Sequence, residues 1–296
     1  MDFNQELKKK IELVDEYLNQ YLPEIDNYQS SIYQAMRYSL FAGGKRLRPV
    51  ITLACCEAVG GEVLQAISFG CAIEMIHTYS LIHDDLPAMD NDEYRRGQLT
   101  CHKMFGEAMA ILAGDALLNK AFEVAVDASV KNGTAPEKAM KALSVIAHAG
   151  GTEGMIGGQV VDLEAENQPI DEHHLKYMHL HKTGALIIAS AKAGAIVGGG
   201  SDKEIEALAV YGRNIGLAFQ IKDDILDVEG KQEKLGKPIG SDASNGKSTF
   251  VSLMGMEKSK RLVKSLSEEA AAQIEIFGDR KWFLTALAKY LIDREY

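Results

Sequence analysis

Two clusters of aspartates are the residues in this sequence whose type and spacing most clearly indicate chemistry. They are Asp84, Asp85 and Asp90, and then Asp223, Asp224 and Asp227. Carboxylates this close together repel one another, which is costly unless a multivalent cation or a basic group neutralises them. Carboxylate oxygens that share a cation with substrate phosphate are ligands that Mg²⁺ prefers. The clusters therefore predict a magnesium-dependent enzyme that acts on diphosphate esters.

The first cluster stands at the end of a predicted helix. Asp90 lies six residues after Asp84, about 240° around an ideal helix. Pro87 disfavours helix continuation, so we expect a loop that brings Asp90 back towards Asp84. Acids at a helix end are usually solvated or act as caps. Here Arg95 and Arg96 follow, and their planar guanidinium groups suit phosphate oxygens, so acid and base together predict a metal-diphosphate site.

The second cluster has helical spacing throughout. Its three aspartates and Gln220 fall within an arc of about 100°, which forms one polar stripe on an otherwise apolar helix. A solvent-facing charged surface would be the ordinary interpretation. A Gly- and Lys-rich loop that includes Lys237 follows, however, and again supplies basic groups beside the acids.

A basic turn near the N-terminus is a candidate for a second anion site. Residues Gly43–Arg48 place three cations beside a glycine pair, in a chain whose formal net charge is −10. Backbone N–H groups at a glycine turn that leads into a helix, together with Lys and Arg, favour an anion. The residues alone support a solvated run of charge about equally well.

Weaker signals come from the middle of the chain. Lys182 and Thr183 offer an ammonium and a hydroxyl that suit phosphate. Gly158 favours the close approach of two helices, with the roles of Gln159 and Asp162 left open.

The histidines and cysteines predict no metal site. The histidines in one short stretch lack an i, i+4 pair, so we expect an exposed helix face. The cysteines form no C-x-x-C pair, so we expect free and largely buried thiols. The residues concerned are His173, His174, His179 and His181, and Cys55, Cys56, Cys71 and Cys101.

Helices must position these groups, because helical periodicity recurs along the chain and strand alternation does not. Segments of roughly 12 to 28 residues lie between the breaks, and long helices joined by short loops form antiparallel bundles. Because no stretch of the sequence has the composition of a linker and no repeat is found, we expect a single domain over residues 1–296. The predicted breaks are Leu22-Pro23, Gly43-Gly44, Gly60-Gly61, Asn132–Thr134, Gly150-Gly151, Gln168-Pro169, Gly198–Gly200 and Gly230–Gly246.

Composition excludes several classes of protein. Hydrophobic residues make up 46% and charged residues 25% of the chain, which argues against disorder. The acidic balance argues against nucleic-acid binding. Residues Met1–Lys10 lack an apolar segment, which predicts a cytoplasmic protein. The Ala- and Gly-rich segment Gly184–Gly200 falls short of the ~20 apolar residues of a membrane span, and we expect a buried helix there.

Five motifs in one order resemble the trans-isoprenyl diphosphate synthase family, and within it the bacterial farnesyl diphosphate synthases. The resemblance extends over nearly the whole chain. The motifs are Gly44–Pro49, Asp84-Asp85-x4-Asp90 with Arg95-Arg96-Gly97, Gly158-Gln159-x-x-Asp162, Lys182-Thr183, and Asp223-Asp224-x-x-Asp227.

The resemblance implies an all-α fold of the isoprenoid synthase type, a large antiparallel bundle around a deep central cavity, usually as a homodimer. It also implies Mg²⁺, on the order of three ions per active site, with Mn²⁺ as a substitute. The substrates would be isopentenyl diphosphate and an allylic diphosphate, joined by metal-assisted allylic ionisation.

The resemblance also assigns roles to residues. Magnesium would be held by Asp84, Asp90 and Asp223, supported by Asp85, Asp224 and Asp227. The allylic diphosphate would contact Arg95, Lys182, Thr183, Gln220 and Lys237. The diphosphate of isopentenyl diphosphate would contact Gly44, Lys45, Arg48, His77 and Arg96. The residues expected to be catalytic are Asp84, Asp85, Asp90, Arg95, Lys182 and Asp223.

Product length depends in the family on the residues four and five positions before the first aspartate, here Ser80 and Tyr79. An aromatic at Tyr79, with the insertion Pro87-Ala88, is the bacterial farnesyl pattern and predicts a C15 product. Helix geometry supports this only in part, because Tyr79 lies about 140° from Asp84. Geranylgeranyl or geranyl diphosphate synthase, terpene cyclase and a non-catalytic synthase subunit are the alternatives.

Overall fold

The computed structural model describes residues 2–131, 133–166, 168–229 and 248–293, and these are almost entirely helical, which confirms the predicted all-α class. The helices, in order, are α1 Phe3–Tyr21, α2 Ser30–Leu40, α3 Leu47–Ala58, α4 Val63–Asp84, α5 Cys101–Phe105, α6 Glu107–Val130, α7 Pro136–Gly150, α8 Met155–Glu164, α9 Glu172–His179, α10 Ala185–Gly198, α11 Asp202–Glu229, α12 Phe250–Met254, α13 Met256–Gln273 and α14 Trp282–Asp293. A π-helical segment, Leu180–Gly184, joins α9 to α10, and a 3₁₀ segment, Ile274–Lys281, joins α13 to α14.

Helices α4 and α10 form the centre of the packing. Helix α4 packs against α3, α6 and α10, and helix α10 also packs against α7 and α11. Both are buried on nearly all sides, which explains why their sequences are apolar around the whole helix rather than along one stripe. The expected buried helix within 184–200 is therefore confirmed. No helix among the described residues is long and apolar enough to cross a membrane.

Most helix ends fall where glycine and proline predicted them. Helix α1 ends at Tyr21, just before Pro23, and α6 ends at Val130. Breaks at Gly106 and Gly255 were not predicted, and each glycine adopts a positive φ that ends a five-residue helix. Helices α5 and α12 are therefore shorter than the roughly 12 residues expected, and α2, α8 and α9 are also shorter. The predicted break at 230–246 lies outside the described residues.

A short β-ribbon interrupts the helices after the first aspartate cluster. Tyr94–Arg95 pairs antiparallel with Gln98–Leu99. The two residues between the strands, Arg96 and Gly97, have φ of 53° and 78°. Two left-handed residues in a two-residue loop make the tight hairpin whose twist matches the strands. The ribbon thus presents two adjacent arginines in different directions.

Gly158 allows α8 to approach the π-helical segment closely. A Cβ atom at this position would overlap the backbone of Lys182. The prediction that glycine permits a close helix approach here is confirmed. The approach matters because α8 and the π-helical segment both carry polar side chains that face Asp84.

Candidate active site

The first aspartate cluster is folded as its proline predicted. Helix α4 ends at Asp84, and the backbone N–H of Asp90 donates to the carbonyl of Asp84 at 2.9 Å. The loop through Pro87 therefore returns Asp90 to the end of the helix, where it approaches the Asp84 carboxylate.

Asp84 is held by two elements that are distant in sequence. Gln159 of α8 donates from Nε2 to Asp84 Oδ1 at 2.5 Å. Lys182 Nζ lies 3.7 Å from Asp84 Oδ2 and donates to Asp162 Oδ2 at 2.5 Å. The roles of Gln159 and Asp162, which the sequence left open, are thus to hold the first cluster and its lysine.

Burial makes the negative charge on Asp84 expensive. Burial raises the pKa of Asp84. The positive charge of Lys182 lowers this pKa, but by less than burial raises it, and nearby Asp90 raises it further. Burial lowers the pKa of Lys182, but Asp162 and Asp84 more than offset this and raise it. The ammonium therefore stays charged while the carboxylate is under-neutralised, and a cation of higher charge would stabilise it.

Asp85 points to a different partner from Asp84. It is buried, and Arg95 of the ribbon binds it through Nε at 2.8 and 2.9 Å to its two oxygens and through a terminal nitrogen at 2.5 Å to Oδ1. Burial raises the pKa of Asp85 in spite of this arginine. Asp85 therefore fixes Arg95 in place beside the first cluster.

The second cluster lies on the last two turns of α11. Asp224 and Asp227 are buried, and Gln220 and Asp223 are partly buried. Asp224 Oδ2 accepts a hydrogen bond from the backbone N–H of Phe250 at 2.8 Å, which anchors the start of α12. Lys237, assigned to the allylic diphosphate, lies outside the described residues.

His179 links the second cluster to the segment that carries Lys182. Its ring stacks on Phe250 with centroids 5.5 Å apart, and burial lowers its pKa to about 4. Its Nε2 is buried and has no hydrogen-bond partner among the described residues. The predicted exposed helix face is correct for His173 and His174 but wrong for His179 and His181, which are only partly exposed. Phe250 of α12 covers His179.

The cations of the basic turn point in two directions, Arg46 into the protein and Lys45 towards solvent. Arg46, with a left-handed φ of 46°, points inward, where Nε donates to Asp15 at 2.9 Å and a terminal nitrogen donates to Glu74 at 3.1 Å. Burial lowers the pKa of Arg46, but Glu74 and Asp15 raise it by more. Arg46 therefore stabilises the fold, and Lys45 is exposed at the turn.

Arg48, Arg96 and His77 form a cationic pocket beside that turn. Arg96 donates to the carbonyl of Gly43, and its guanidinium group fills the space where a side chain on Gly44 would lie. Arg48 Nε is buried without a hydrogen-bond partner among the described residues. Burial lowers the pKa of Arg48 to about 10, with a further lowering from Arg96.

The pKa of His77 reflects both its burial and the positive charge of this pocket. Burial, then Arg48 and Arg96, hold its pKa well below the ordinary value. The imidazole therefore stays neutral among guanidinium groups, and an anion would satisfy the donors that remain.

The two chain-length candidates differ in their surroundings. Tyr79 is buried, its hydroxyl has no hydrogen-bond partner among the described residues, and its ring meets His83 edge to face at 5.7 Å. Ser80 Oγ donates to the carbonyl of His77 at 2.8 Å, so this hydroxyl is bonded to its own helix.

The donor set of the acidic side fits a hard divalent cation. Among the described residues, no three His, Cys, Asp or Glu side chains are already gathered into a metal site. Lys182, Gln159 and Arg95 instead engage the first cluster. A buried carboxylate whose pKa is raised beside an ammonium is the oxygen donor that Mg²⁺ would stabilise.

Sequence reasoning missed three contributors to these sites. Asp15 and Glu74 neutralise Arg46, and His179 stacks on Phe250, whose backbone N–H binds Asp224. Glu74 gave a signal, since it is a carboxylate on an otherwise apolar helix one turn before His77. Asp15 gave none.

Comparisons with known proteins agree with this arrangement. A sequence profile described as polyprenyl synthetase matches residues 29–277. The chain is 49% identical to the Arabidopsis thaliana chloroplastic heterodimeric geranylgeranyl pyrophosphate synthase large subunit 1, over 99% of the chain and 80% of that protein. It is 46% identical to the farnesyl diphosphate synthase of Micrococcus luteus, over 94% of the chain and 92% of that protein.

A solved structure shares the fold. The Helicobacter pylori geranyltransferase, crystallised with magnesium and isoprenyl diphosphate, superposes with a TM-score of 0.84 at 31% identity, covering 99% of this chain and 97% of that one. Family, fold and site geometry agree. The chain therefore belongs to the polyprenyl synthetase family and is a trans-prenyltransferase of the short-chain type.

Proposed function

We propose that this protein condenses isopentenyl diphosphate with dimethylallyl diphosphate and then geranyl diphosphate to give (E,E)-farnesyl diphosphate. The observation that carries the proposal is the placement of two unlike charged sites along α4. His77 lies in the cationic pocket, and Asp84 lies in the acidic site about 10 Å further along the same helix. The ribbon serves both sites, because Arg95 binds Asp85 and the adjacent Arg96 reaches Gly43.

The residues divide the chemistry between these sites. Asp84, Asp90 and Asp223 would hold Mg²⁺, which when bound neutralises the leaving diphosphate as a Lewis acid. Arg95, Lys182, Thr183 and Gln220 would contact the allylic diphosphate. Gly44, Lys45, Arg48, His77 and Arg96 would hold the isopentenyl diphosphate.

The reaction itself breaks one bond and forms another. The allylic C–O bond breaks, and the electron pair leaves with the diphosphate. The double bond of isopentenyl diphosphate then attacks the allylic cation to form the new C–C bond. A proton is lost from the adduct, and the departed diphosphate accepts it. The cationic side chains stabilise the charge that develops on the leaving group.

The C15 product is supported by Tyr79. Its bulk is buried at the helix position five residues before Asp84, where it would close the floor of an elongation cavity. The relatives favour no single length, because one is named for geranylgeranyl and another for farnesyl diphosphate. Geranylgeranyl diphosphate synthase is therefore the second candidate.

Product chromatography with each allylic primer tests this proposal. Wild type should stop at C15, Tyr79→Ala should extend the product to C20 or beyond, and Tyr79→Phe, which keeps the ring, should still give C15. A C20 product from wild type would favour the second candidate. Unchanged C15 output from Tyr79→Ala would remove Tyr79 as the floor.

A homodimer is also proposed, and α6 offers the surface. Its exposed side carries Ile111, Leu112 and Val126, which are between 45% and 54% exposed. Apolar side chains aligned along one helix face favour burial against a second copy. Light scattering should give twice the 32.3 kDa chain mass, and Ile111→Lys with Leu112→Lys should give the monomer. A monomeric wild type would contradict the proposal.

A further inference from the structure

A groove separate from the active site lies between α7, α10 and α11. Its volume is about 480 Å³, within the range of small-molecule sites. One part of its wall is apolar and is formed by Val145, Leu180 and Ile188 with neighbouring alanines. Such a wall suits a hydrocarbon chain.

The remainder of the wall carries cations. Lys192 and Arg213 both line the groove, and neither has a hydrogen bond or ion pair within the described residues. Lys192 is the only charged residue in α10, whose other residues are mostly Ala, Gly and Ile. A positively charged pair beside an apolar wall, in a chain of net charge −10, is complementary to an anionic amphiphile.

Two imidazoles add polar groups to the same wall. Nδ1 of His148 lies 2.8 Å from the carbonyl of Ser144, and Nδ1 of His181 lies 2.7 Å from that of Tyr177. Each Nδ1 therefore carries a proton that it donates locally, which leaves Nε2 to a ligand. Glu153 is the one carboxylate among the residues that line the groove within the described chain.

The groove and the active site contact different residues of the π-helical segment. Leu180 and His181 line the groove, whereas Lys182 turns towards Asp84 and Asp162. Among the described residues, none assigned above to catalysis or to substrate binding lines it. A ligand in the groove would thus contact the segment that carries the catalytic lysine without entering the catalytic site.

We propose that this groove is a second binding site for a prenyl diphosphate, with the diphosphate on Lys192 and Arg213 and the chain along Val145, Leu180 and Ile188. This goes beyond the proposed catalytic function, because it requires neither aspartate cluster and no metal. Occupancy should fall with rising salt, since both cations are accessible to solvent.

Photo-crosslinking locates the site directly. The full-length protein in EDTA is irradiated with a farnesyl diphosphate analogue that carries a diazirine in its chain, and labelled peptides are identified by mass spectrometry. Label is expected on residues 144–154 and 185–192. Lys192→Ala with Arg213→Ala should reduce it roughly tenfold, and Glu153→Gln, which removes the one negative group, should increase it. Inorganic diphosphate, which lacks the chain, should compete poorly.

The matched control removes two exposed cations elsewhere. Lys203→Ala with Lys289→Ala changes the net charge equally and should leave the labelling of α7 and α10 unchanged. Prenyl transfer by the Lys192→Ala, Arg213→Ala variant should stay at the wild-type rate, which shows that the protein is folded. The proposal is overturned if α7 and α10 are unlabelled, if both double variants label alike, or if decanoate competes as well as farnesyl diphosphate.

Discussion

The acidic and cationic sites differ in how their charges are satisfied. Asp84 and Asp85 are engaged by Lys182, Gln159 and Arg95. Within the described part of the chain, the cationic pocket instead has a guanidinium nitrogen of Arg48 without a hydrogen-bond partner, and a histidine kept neutral by burial and by the neighbouring arginines. Glu74, the carboxylate that most raises the pKa of Arg48 and of Arg96, is bonded to Arg46. The acidic site must therefore exchange partners to bind a metal and an allylic diphosphate, whereas the cationic pocket is ready for an anion.

The largest expected effect is at the acidic site. Asp84→Ala should reduce kcat by about 10³-fold or more, because the leaving group loses its electrostatic stabilisation. The affinity for isopentenyl diphosphate should change little. Steady-state kinetics with both substrates measures this, with Asp279→Ala, an exposed aspartate, as the control. Turnover within a few-fold of wild type would remove Asp84 from the catalytic site.

The cationic pocket should respond in KM rather than in kcat. Arg48→Ala should raise the KM for isopentenyl diphosphate by about 10- to 100-fold, the loss expected for a charged hydrogen bond. The KM for the allylic substrate should stay near wild type, as should all constants of the exposed control Arg261→Ala. Equal increases in both KM values would contradict the separation of the two sites.

Asp85 distinguishes a positioning role from metal ligation. Asp85→Asn should reduce kcat/KM for the allylic substrate by about tenfold, because Arg95 loses its charged partner. The Mg²⁺ concentration for half-maximal activity should stay near wild type, and Asp85→Glu should recover part of the loss. A large increase in that Mg²⁺ concentration would instead identify Asp85 as a ligand.

A final expected effect concerns stability in acid rather than activity. The pKa of His179 is about 4 in the folded protein, so below the unfolded value near 6.5 the unfolded chain binds more protons. Stability should therefore fall as pH decreases from about 6.5 to 4, with up to about 3 kcal/mol of this loss due to His179. Urea unfolding at pH 7 and pH 4.5 should show a smaller loss for His179→Gln. An identical loss in both proteins would contradict this assignment.

The sequence predicted those features that depend on local chain chemistry. The loop that returns Asp90 follows from Pro87, and the close approach at Gly158 follows from its missing side chain. Helix α10 was predicted as buried from its uniform apolar composition. In each case the residue itself restricts the backbone or its surroundings.

Features that depend on distant partners could not be predicted. Arg46 and Arg48 are two residues apart and chemically alike, and only Asp15 and Glu74 decide that Arg46 points inward. His179 is partly buried, with its Nε2 shielded from solvent, because Phe250 packs on its ring. The ribbon at Arg95 has two residues per strand, too few for an alternating pattern to appear.

We expect the cationic pocket to bind its ligand without metal, whereas the acidic site needs metal. Calorimetric titrations of each ligand in EDTA and in Mg²⁺ test this most directly. Isopentenyl diphosphate should bind with an affinity that differs by only a few-fold between the two conditions, because the cationic pocket is preformed. The second ligand is an unreactive allylic thiolodiphosphate, titrated into protein already saturated with isopentenyl diphosphate. Its affinity should be about 100-fold or more lower in EDTA than in Mg²⁺, because Asp84 and its neighbours would repel its head group. Equal metal dependence of the two ligands would contradict this account.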